Sequence, residues 1–304
     1  MSIQVNKFPL VSIIVATYRR DDSLKFAIQS LMNQSYKNIE VIIIDDNADN
    51  YWNKKVENVY NEFKSDKRLR YIKNDGNLGS AKTRNVGIYS SKGEYVSFLD
   101  DDDIYLPKKI ENQVNKMIKM NADYSITNLT LYYENEEAVV EVRNRDFLID
   151  CDPKDLLKLH LMYHLTGTDT MMFKRDYLVK IGGFDPIDVG DEFYLMHKAI
   201  LANGKFLYIP ESNVNAYIHR GEGGLSSGKG KIDGENKLFR FKEDYFDILS
   251  KKDVKFIKMR HYAVLAFAYY RLNMKSTFIK YALISFIQSP MQCLDLFISR
   301  NKVK

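Results

Sequence analysis

The sequence predicts an α/β fold built on a parallel sheet, followed by a helical C-terminal appendage. Short β-branched runs alternate with segments of helical periodicity up to residue 99. The stretches that join these runs have the length of βαβ crossovers, which place consecutive strands in parallel. From Glu235 onward the pattern is helical and the strand signals stop.

The first half of the chain supplies the regular alternation. Val11–Ala16 and Ile39–Ile44 are continuous β-branched runs of the kind found in strands that are buried on both faces. Apolar residues at helical spacing predict a helix from Ser23 to Asn33. The other elements predicted here are a polar helix over Trp52–Lys64, a strand over Leu69–Lys73, a helix over Ser80–Ser90 and a strand over Tyr95–Leu99.

The second half predicts shorter and less regular elements. They are a helix over Lys108–Met120, strands over Asp123–Tyr133 and Ala138–Val142, a helical or irregular segment over Leu156–Leu165, a strand over Thr170–Lys174, helices over Tyr177–Ile181 and Phe193–Ala202, and strands over Phe206–Pro210 and Asn215–His219. Gly221–Gly234 is rich in Gly, Ser and Lys, and we expect a mobile loop there.

Composition narrows the functional classes. The 304 residues include 45 Lys and Arg against 40 Asp and Glu, and a net charge of +5 is too mild to indicate a nucleic-acid partner. The two cysteines, Cys151 and Cys293, lie far apart, so we expect two free thiols in a reducing cytoplasm and no zinc site. The apolar run Leu10–Ala16 is too short for a signal core, and no run of about 18 apolar residues predicts a membrane span.

Polar residues follow the predicted strands at one edge of the sheet, where open α/β sheets bind ligands. They are Thr17 and Tyr18, Asp45 and Asp46, Asp75, and the run Asp100–Asp103. Four adjacent carboxylates repel one another unless a cation neutralises them, and Mg²⁺ and Mn²⁺ favour carboxylate and phosphate oxygens. The alternative, a solvated acidic turn, is disfavoured because the run follows a buried strand.

Four other groups have both a functional and a structural interpretation. Asp46 can accept a hydrogen bond from a ribose or base, or it can cap a helix. Lys82 and Arg84 follow a glycine-rich turn, and they can contact phosphate or simply belong to a helix that begins there. Asp191 and Glu192 precede a helix, where a carboxylate can deprotonate a hydroxyl or complement the helix dipole. His219 lies before the glycine-rich loop and can be structural or take part in loop closure.

Four motifs, in this order, resemble the inverting family 2 glycosyltransferases of the GT-A fold that build bacterial polysaccharides and glycoconjugates of the cell envelope. The motifs are Val11–Tyr18 with Leu31–Gln34, Val41–Asn47, Asn77–Gly87, and Gly93–Asp103. The resemblance covers about residues 9–226. It implies a GT-A catalytic domain with a Rossmann-like nucleotide-binding sheet over residues 1–234 and leaves residues 235–304 as a helical region.

The resemblance also implies roles for single residues. It implies Asp191 and Glu192 as candidates for the catalytic base; Ala16, Tyr18, Asp46, Lys82, Arg84, Asp100 and Asp101 at the nucleotide-sugar; and Asp102 and His219 at a Mn²⁺ or Mg²⁺ ion, within a DxD motif whose ends are Asp100 and Asp102. The family's usual Glu-Asp pair is reversed here, so either carboxylate can be the base, and Asp191 is preferred.

The implied reaction moves a hexose or N-acetylhexosamine from a UDP-sugar to a hydroxyl of a glycan, a lipid-linked acceptor or a protein-linked acceptor, with inversion. The alternatives are a nucleotidyltransferase, disfavoured because Thr17–Asp22 lacks glycine, and an inactive nucleotide-sugar-binding partner. Lysines and aromatic helices after residue 234 allow the hypothesis of peripheral contact with the inner face of the cell membrane, although aromatic stripes more often form a core. Packing on the catalytic domain and homodimer formation are the alternatives for this region.

Overall fold

The computed structural model of the protein describes residues 8–134, 136–149, 151–187, 189–218 and 228–301. Its strands form one mixed sheet. They are β1 (Val11–Thr17), β2 (Ile39–Asp45), β3 (Leu69–Lys73), β4 (Tyr95–Phe98), β5 (Ile104–Tyr105), β6 (Tyr124–Tyr133), β7 (Val139–Arg143), β8 (Met172–Lys174) and β9 (Phe206–Ile218). The order across the sheet is β3-β2-β1-β4-β8-β6-β9-β5, and β7 pairs with β6.

The helices alternate with these strands and then continue alone to the end of the described chain. They are α1 (Asp22–Met32), α2 (Asn50–Phe63), α3 (Ser80–Ser90), α4 (Lys109–Met120), α5 (Leu156–Tyr163), α6 (Arg175–Lys180), α7 (Asp191–Leu201), α8 (Gly228–Glu243), α9 (Lys251–Arg271), α10 (Lys275–Gln288) and α11 (Pro290–Asn301). The predicted α/β fold with a helical C-terminal region is confirmed.

The prediction of a parallel sheet is correct for β1 to β4 and wrong for the sheet as a whole. β1 pairs in parallel with β2 and β4, and β2 pairs in parallel with β3. β8 then lies antiparallel between β4 and β6. A three-residue strand carries no periodicity that reveals its direction, so the sequence pattern does not predict this insertion. Phe206–Ile218 is one irregular strand where two were expected.

Two apolar layers cover the sheet, and the alternation of side chains along each strand assigns residues to them. Ile13 and Val15 face the layer formed with α1, α2 and α4. Ile14 faces the opposite layer, formed with α3, α5, α6 and α7. Helix α3 packs closely on β1, because a Cβ atom at Gly87 would lie 2.5 Å from Ile14 Cγ2. This close packing sets the position of α3, which carries Arg84, above the sheet edge.

A third apolar cluster joins the C-terminal helices to the α/β domain. Phe256 and Ile257 on α9 and Leu238 on α8 pack against Phe193 on α7 and Leu161 on α5. The loop expected at Gly221–Gly234 is helical from Gly228 onward, and its first part lies outside the described residues. The proposed boundary between residues 234 and 235 falls inside α8 and stays a prediction. None of the helices in the described part of the chain combines the length and apolar composition that a membrane span requires.

Candidate functional site

The carboxyl ends of β1, β2 and β4 meet at one edge of the sheet, as the sequence predicts. The register pairs Thr17 with Asp45, and Leu99 N donates to Ile14 O, so the residues after these strands start side by side. Because β8 is antiparallel to β4, its amino end reaches the same edge. The site is therefore built from three strand ends, one strand start, and the nearby starts of α3 and α7.

Arg84 on α3 links two acidic parts of this edge. Its Nη1 donates to Asp191 Oδ2 at 2.7 Å, and its Nη2 donates to Asp100 Oδ1 at 2.6 Å. The side chain is buried against the ring of Phe184, whose centroid lies 5.5 Å from Cζ. Burial alone would lower the pKa of Arg84, but the carboxylates of Asp191 and Asp100 outweigh it and raise the pKa. Arg84 is a fixed cation that connects β4 to α7.

The four carboxylates of the acidic run diverge to different partners. Asp101 Oδ2 accepts from Thr17 Oγ1 at 2.7 Å and from Tyr18 N at 3.3 Å. Asp102 Oδ2 lies 2.9 Å from Arg20 Nη2. Asp103 Oδ1 accepts from the backbone N of Tyr217 at 2.8 Å. Asp103 N donates to Asp100 O at 3.2 Å, so the run forms a turn, and its side chains contact different neighbouring segments.

Asp169, which the sequence analysis missed, completes an acidic group with Asp100 and Asp103. Its Oδ1 accepts from Asp100 N at 2.7 Å. Carboxylate oxygens of Asp100, Asp103 and Asp169 lie within 4.8 Å of one another, and this is the group suited to a metal ion among the described residues. The signal in the sequence is weak: Asp169 lies between two threonines just before a short strand. Only the antiparallel direction of β8 brings it to this edge.

Burial and the repulsion between neighbouring carboxylates raise the pKa values of Asp169 and of residues in the acidic run. Burial raises the pKa of Asp169 to about 7, and the charge of Asp100 adds to the shift. Burial and Asp169 together raise the pKa of Asp103 well above its usual range. Burial, with Asp102 beside it, raises the pKa of Asp101 to about 7. Clustered carboxylates that retain protons are stabilised by a divalent cation, and an all-oxygen donor set fits Mg²⁺ or Mn²⁺.

Asp45 and Asp46 lie at the end of β2, where protein donors occupy their oxygens. Asp46 accepts from Asn74 Nδ2 at 2.8 Å, Leu78 N at 2.9 Å and Gly79 N at 3.0 Å. Asp45 accepts from Asn47, Asn53 and Tyr71 at 2.7 to 3.1 Å. Gly79 has a φ of 83°, which favours glycine at this start of α3. Asp46 therefore holds the loop in front of α3, whatever else it contacts.

Asp191 and Glu192 form the first turn of α7, so the predicted start of that helix at Phe193 is two residues late. Both acidic side chains complement the helix dipole there. Burial raises the pKa of Asp191 to about 7; Arg84 lowers it, and Glu192 raises it. Glu192 Oε1 lies 3.0 Å from His164 Nε2. His164 is therefore a partner of Glu192, and like Asp169 it was not predicted from the sequence.

The other predicted residues lie near this group or outside the described chain. Ala16 is half-buried at the end of β1, and Tyr18 and Lys82 are exposed. Lys82 lines a pocket of about 110 Å³ beside the start of α3. The remaining lining residues are Leu78, Gly79, Ala81, Pro186 and Ile187. His219 lies outside the described residues, so the structure provides no position for this proposed metal ligand.

Comparison with known proteins identifies the family. The family model described as "Glycosyl transferase family 2" matches residues 12–182, which is more than half of the chain. The chain belongs to glycosyltransferase family 2. The matched segment includes β2 to β4 and most of β1, together with Asp46, Arg84 and the acidic run.

Two relatives illustrate the range of this glycosyltransferase family. An uncharacterized glycosyltransferase (MJ1057) from Methanocaldococcus jannaschii is 33% identical over 207 residues, covering 67% of this chain and 69% of that protein. The UDP-Glc:alpha-D-GlcNAc-diphosphoundecaprenol beta-1,3-glucosyltransferase WfaP from Escherichia coli is 38% identical over 132 residues, covering 43% of this chain and 49% of that protein.

Solved structures show the same fold at low sequence identity. The structure of S. aureus TarS residues 1–349 in complex with UDP-GlcNAc has a TM-score of 0.62 at 16% identity, covering 93% of this chain and 82% of that one. The mannosyltransferase PcManGT from Pyrobaculum calidifontis in complex with GDP-Man and Mn²⁺ has a TM-score of 0.58 at 16% identity, covering 97% and 85%. This glycosyltransferase therefore has the GT-A fold, as its motifs predict.

Proposed function

We propose that this family 2 glycosyltransferase transfers a hexose or N-acetylhexosamine from a UDP-sugar to an acceptor hydroxyl, with inversion at the anomeric carbon. The observation that carries the proposal is the link through Arg84 from Asp100 in the acidic group to Asp191 on α7. One edge of the sheet thus holds an acidic group suited to a metal ion, the fixed cation Arg84 and the buried carboxylate of Asp191. An inverting displacement needs a site for the leaving diphosphate and a base for the acceptor.

Asp100, Asp103 and Asp169 are the residues that would hold the divalent ion. Bound there, Mn²⁺ or Mg²⁺ supplies charge neutralisation for the diphosphate that leaves. Asp102 and His219, the ligands that the family resemblance implies, remain candidates for completing the shell. A solved structure of the same fold contains Mn²⁺ together with GDP-Man, which supports a metal at this edge.

Asp191 is the proposed base, with Glu192 as the alternative. The carboxylate takes the proton of the acceptor hydroxyl, the hydroxyl oxygen forms a bond to the anomeric carbon, and the bond from that carbon to the UDP oxygen breaks. UDP leaves with the bonding electron pair. Arg84 lies between the base and the acidic group, where its charge stabilises the negative charge that develops on the diphosphate.

The donor and acceptor classes follow from named relatives. WfaP uses UDP-Glc and a diphosphoundecaprenol-linked acceptor, and TarS was solved with UDP-GlcNAc, as their names and titles state. We infer that this enzyme also uses a UDP-sugar and adds it to a glycan, a lipid-linked saccharide or a glycoprotein during cell-envelope polysaccharide synthesis. The glycine-free loop Thr17–Asp22 and the family match favour this reaction over nucleotidyl transfer.

UDP release from a panel of UDP-sugars, with Mn²⁺ and with a chelator, tests the proposal. We expect release with one or a few sugars and at least about a hundredfold loss on chelation. Asp191→Asn should lower kcat by about 10²- to 10⁴-fold, the usual contribution of a general base. Asp176→Asn is a matched control because Asp176 is fully exposed on α6. UDP-sugar binding without release by the wild type would instead indicate an inactive binding partner.

A further inference from the structure

Helix α10 turns an apolar face toward solvent. Ile279, Leu283 and Ile287 follow one another at intervals of four residues, and their exposed fractions are 55%, 58% and 72%. The buried side of the same helix contains Ser285, which is fully buried and donates through Oγ to Met259 O at 2.8 Å. The helix therefore leaves large apolar residues outward although it packs Tyr281 against Tyr262 and Tyr269 of α9, so it is apolar on more than the side that faces the domain.

Helix α11 extends this face. Met291 is 73% exposed, while Cys293 on the other side of α11 is buried against the C-terminal cluster. We define the apolar face as the six large exposed side chains of the two helices: Ile279, Leu283, Phe286, Ile287, Met291 and Leu294. The buried sides of the two helices lie together, since Ser285 Oγ is 3.6 Å from Cys293 Sγ, and exposed apolar residues concentrated on two such helices are typical of a protein or membrane contact.

The charge around this face is one-sided. Residues 255–304 contain nine Lys and Arg residues and a single acidic residue, Asp295. Lys275 and Lys280 are exposed on α10 itself, and Lys275 lies four residues before Ile279 on the same side of the helix. An apolar stripe bordered by lysines fits a membrane whose surface carries anionic lipid headgroups.

The same charges disfavour a second copy of the chain as the occupant. A two-fold interface brings the same surface of both subunits together, so the lysines of α10 would face the basic border of the partner copy. A lipid surface provides phosphate groups to all of these lysines at once. We propose that the apolar face of α10 and α11 docks on an anionic lipid membrane, lying in the interface without crossing it.

Vesicle co-sedimentation of the full chain tests the proposal without any sugar transfer. We expect binding to vesicles of phosphatidylcholine and phosphatidylglycerol, and much weaker binding to phosphatidylcholine alone. Leu283→Gln with Ile287→Gln should weaken binding at least about tenfold, because two large apolar side chains no longer enter the headgroup region. Lys275→Gln and Lys280→Gln should each weaken it about fivefold on anionic vesicles.

Leu201→Gln with Ile149→Gln is the matched control, because both residues are 51% exposed and lie outside the apolar face. This control should bind vesicles like the wild type, and all variants should keep the wild-type Tm because the changed side chains are exposed. Wild-type sedimentation by the Leu283/Ile287 variant would overturn the proposal. The proposal would also be overturned if the wild type did not bind vesicles and light scattering showed that it is a dimer, while the Leu283/Ile287 variant is a monomer.

Discussion

Two groups of aspartates lie at neighbouring strand ends and have opposite surroundings. At the end of β2, Asp45 and Asp46 accept hydrogen bonds from loop amides and side chains. At the end of β4, Asp103 and Asp169 lie close together, and burial is the main cause that raises both pKa values; the charge of Asp169 adds to the shift of Asp103, and the charge of Asp100 adds to the shift of Asp169. The comparison shows that aspartates at the same edge of a sheet can have different electrostatic surroundings. Several protein donors surround Asp45 and Asp46, whereas Asp103 and Asp169 lie close to other carboxylates.

The largest effect should come from the acidic group of Asp100, Asp103 and Asp169. We expect Asp169→Asn to lower kcat/KM with Mn²⁺ by at least about a hundredfold, because one ligand of the metal group is lost. The variant should keep or gain thermal stability, because a repelling charge is removed. Asp102→Asn should cost about tenfold or less, since Asp102 is paired with Arg20. Mn²⁺ titration of UDP release measures both variants, and the opposite ranking would support Asp102 as the principal ligand.

Asp46→Asn should have a smaller effect on turnover and a clear effect on stability. The substitution leaves an amide oxygen that can still accept from Asn74 Nδ2 and Leu78 N, but the amide nitrogen cannot accept from Gly79 N, so we expect the free energy of unfolding to fall by about 1–3 kcal/mol. The KM for the donor should rise about tenfold because the loop before α3 shifts. Urea unfolding and donor kinetics measure the two changes.

The control for this loop effect is Asp45→Asn, which should be destabilising without a change in donor KM, since its partners Asn53 and Tyr71 lie on α2 and β3. A change in KM with full stability in Asp46→Asn would contradict the loop interpretation. It would show that Asp46 contacts the nucleotide directly, as the family resemblance implies.

The smallest effect should be a change of kcat/KM with pH. Burial raises the pKa of Asp191 to about 7, and only the ionised form accepts a proton, so kcat/KM should rise about tenfold from pH 6 to a plateau above about pH 8. Glu192→Gln removes a charge that raises this pKa, so the profile should move to lower pH. A pH series of initial rates at saturating Mn²⁺ measures the shift, and a profile that is flat from pH 6 to 8 would exclude Asp191 as the base.

The local sequence pattern was sufficient to predict many of the helices and strands. The strand Leu69–Lys73 and the helix Ser80–Ser90 have the predicted bounds, because β-branched and helical periods are local properties. It was insufficient where an element is short or where its start depends on neighbours. The sequence of Met172–Lys174 does not indicate whether this strand is parallel or antiparallel to its neighbours. Asp191 and Glu192 belong to α7 although the apolar pattern starts at Phe193.

The sequence by itself determined the family and the edge of the sheet that holds the candidate site, because ordered motifs and strand ends are encoded over short stretches of chain. Only the tertiary structure decided which carboxylates meet. Arg84 donates to Asp191, which lies 107 residues away in the sequence, and Asp100 N donates to Asp169, which lies 69 residues away. Those contacts depend on the antiparallel insertion of β8 and on the packing of α3 against β1, and neither leaves a periodic signal in the chain.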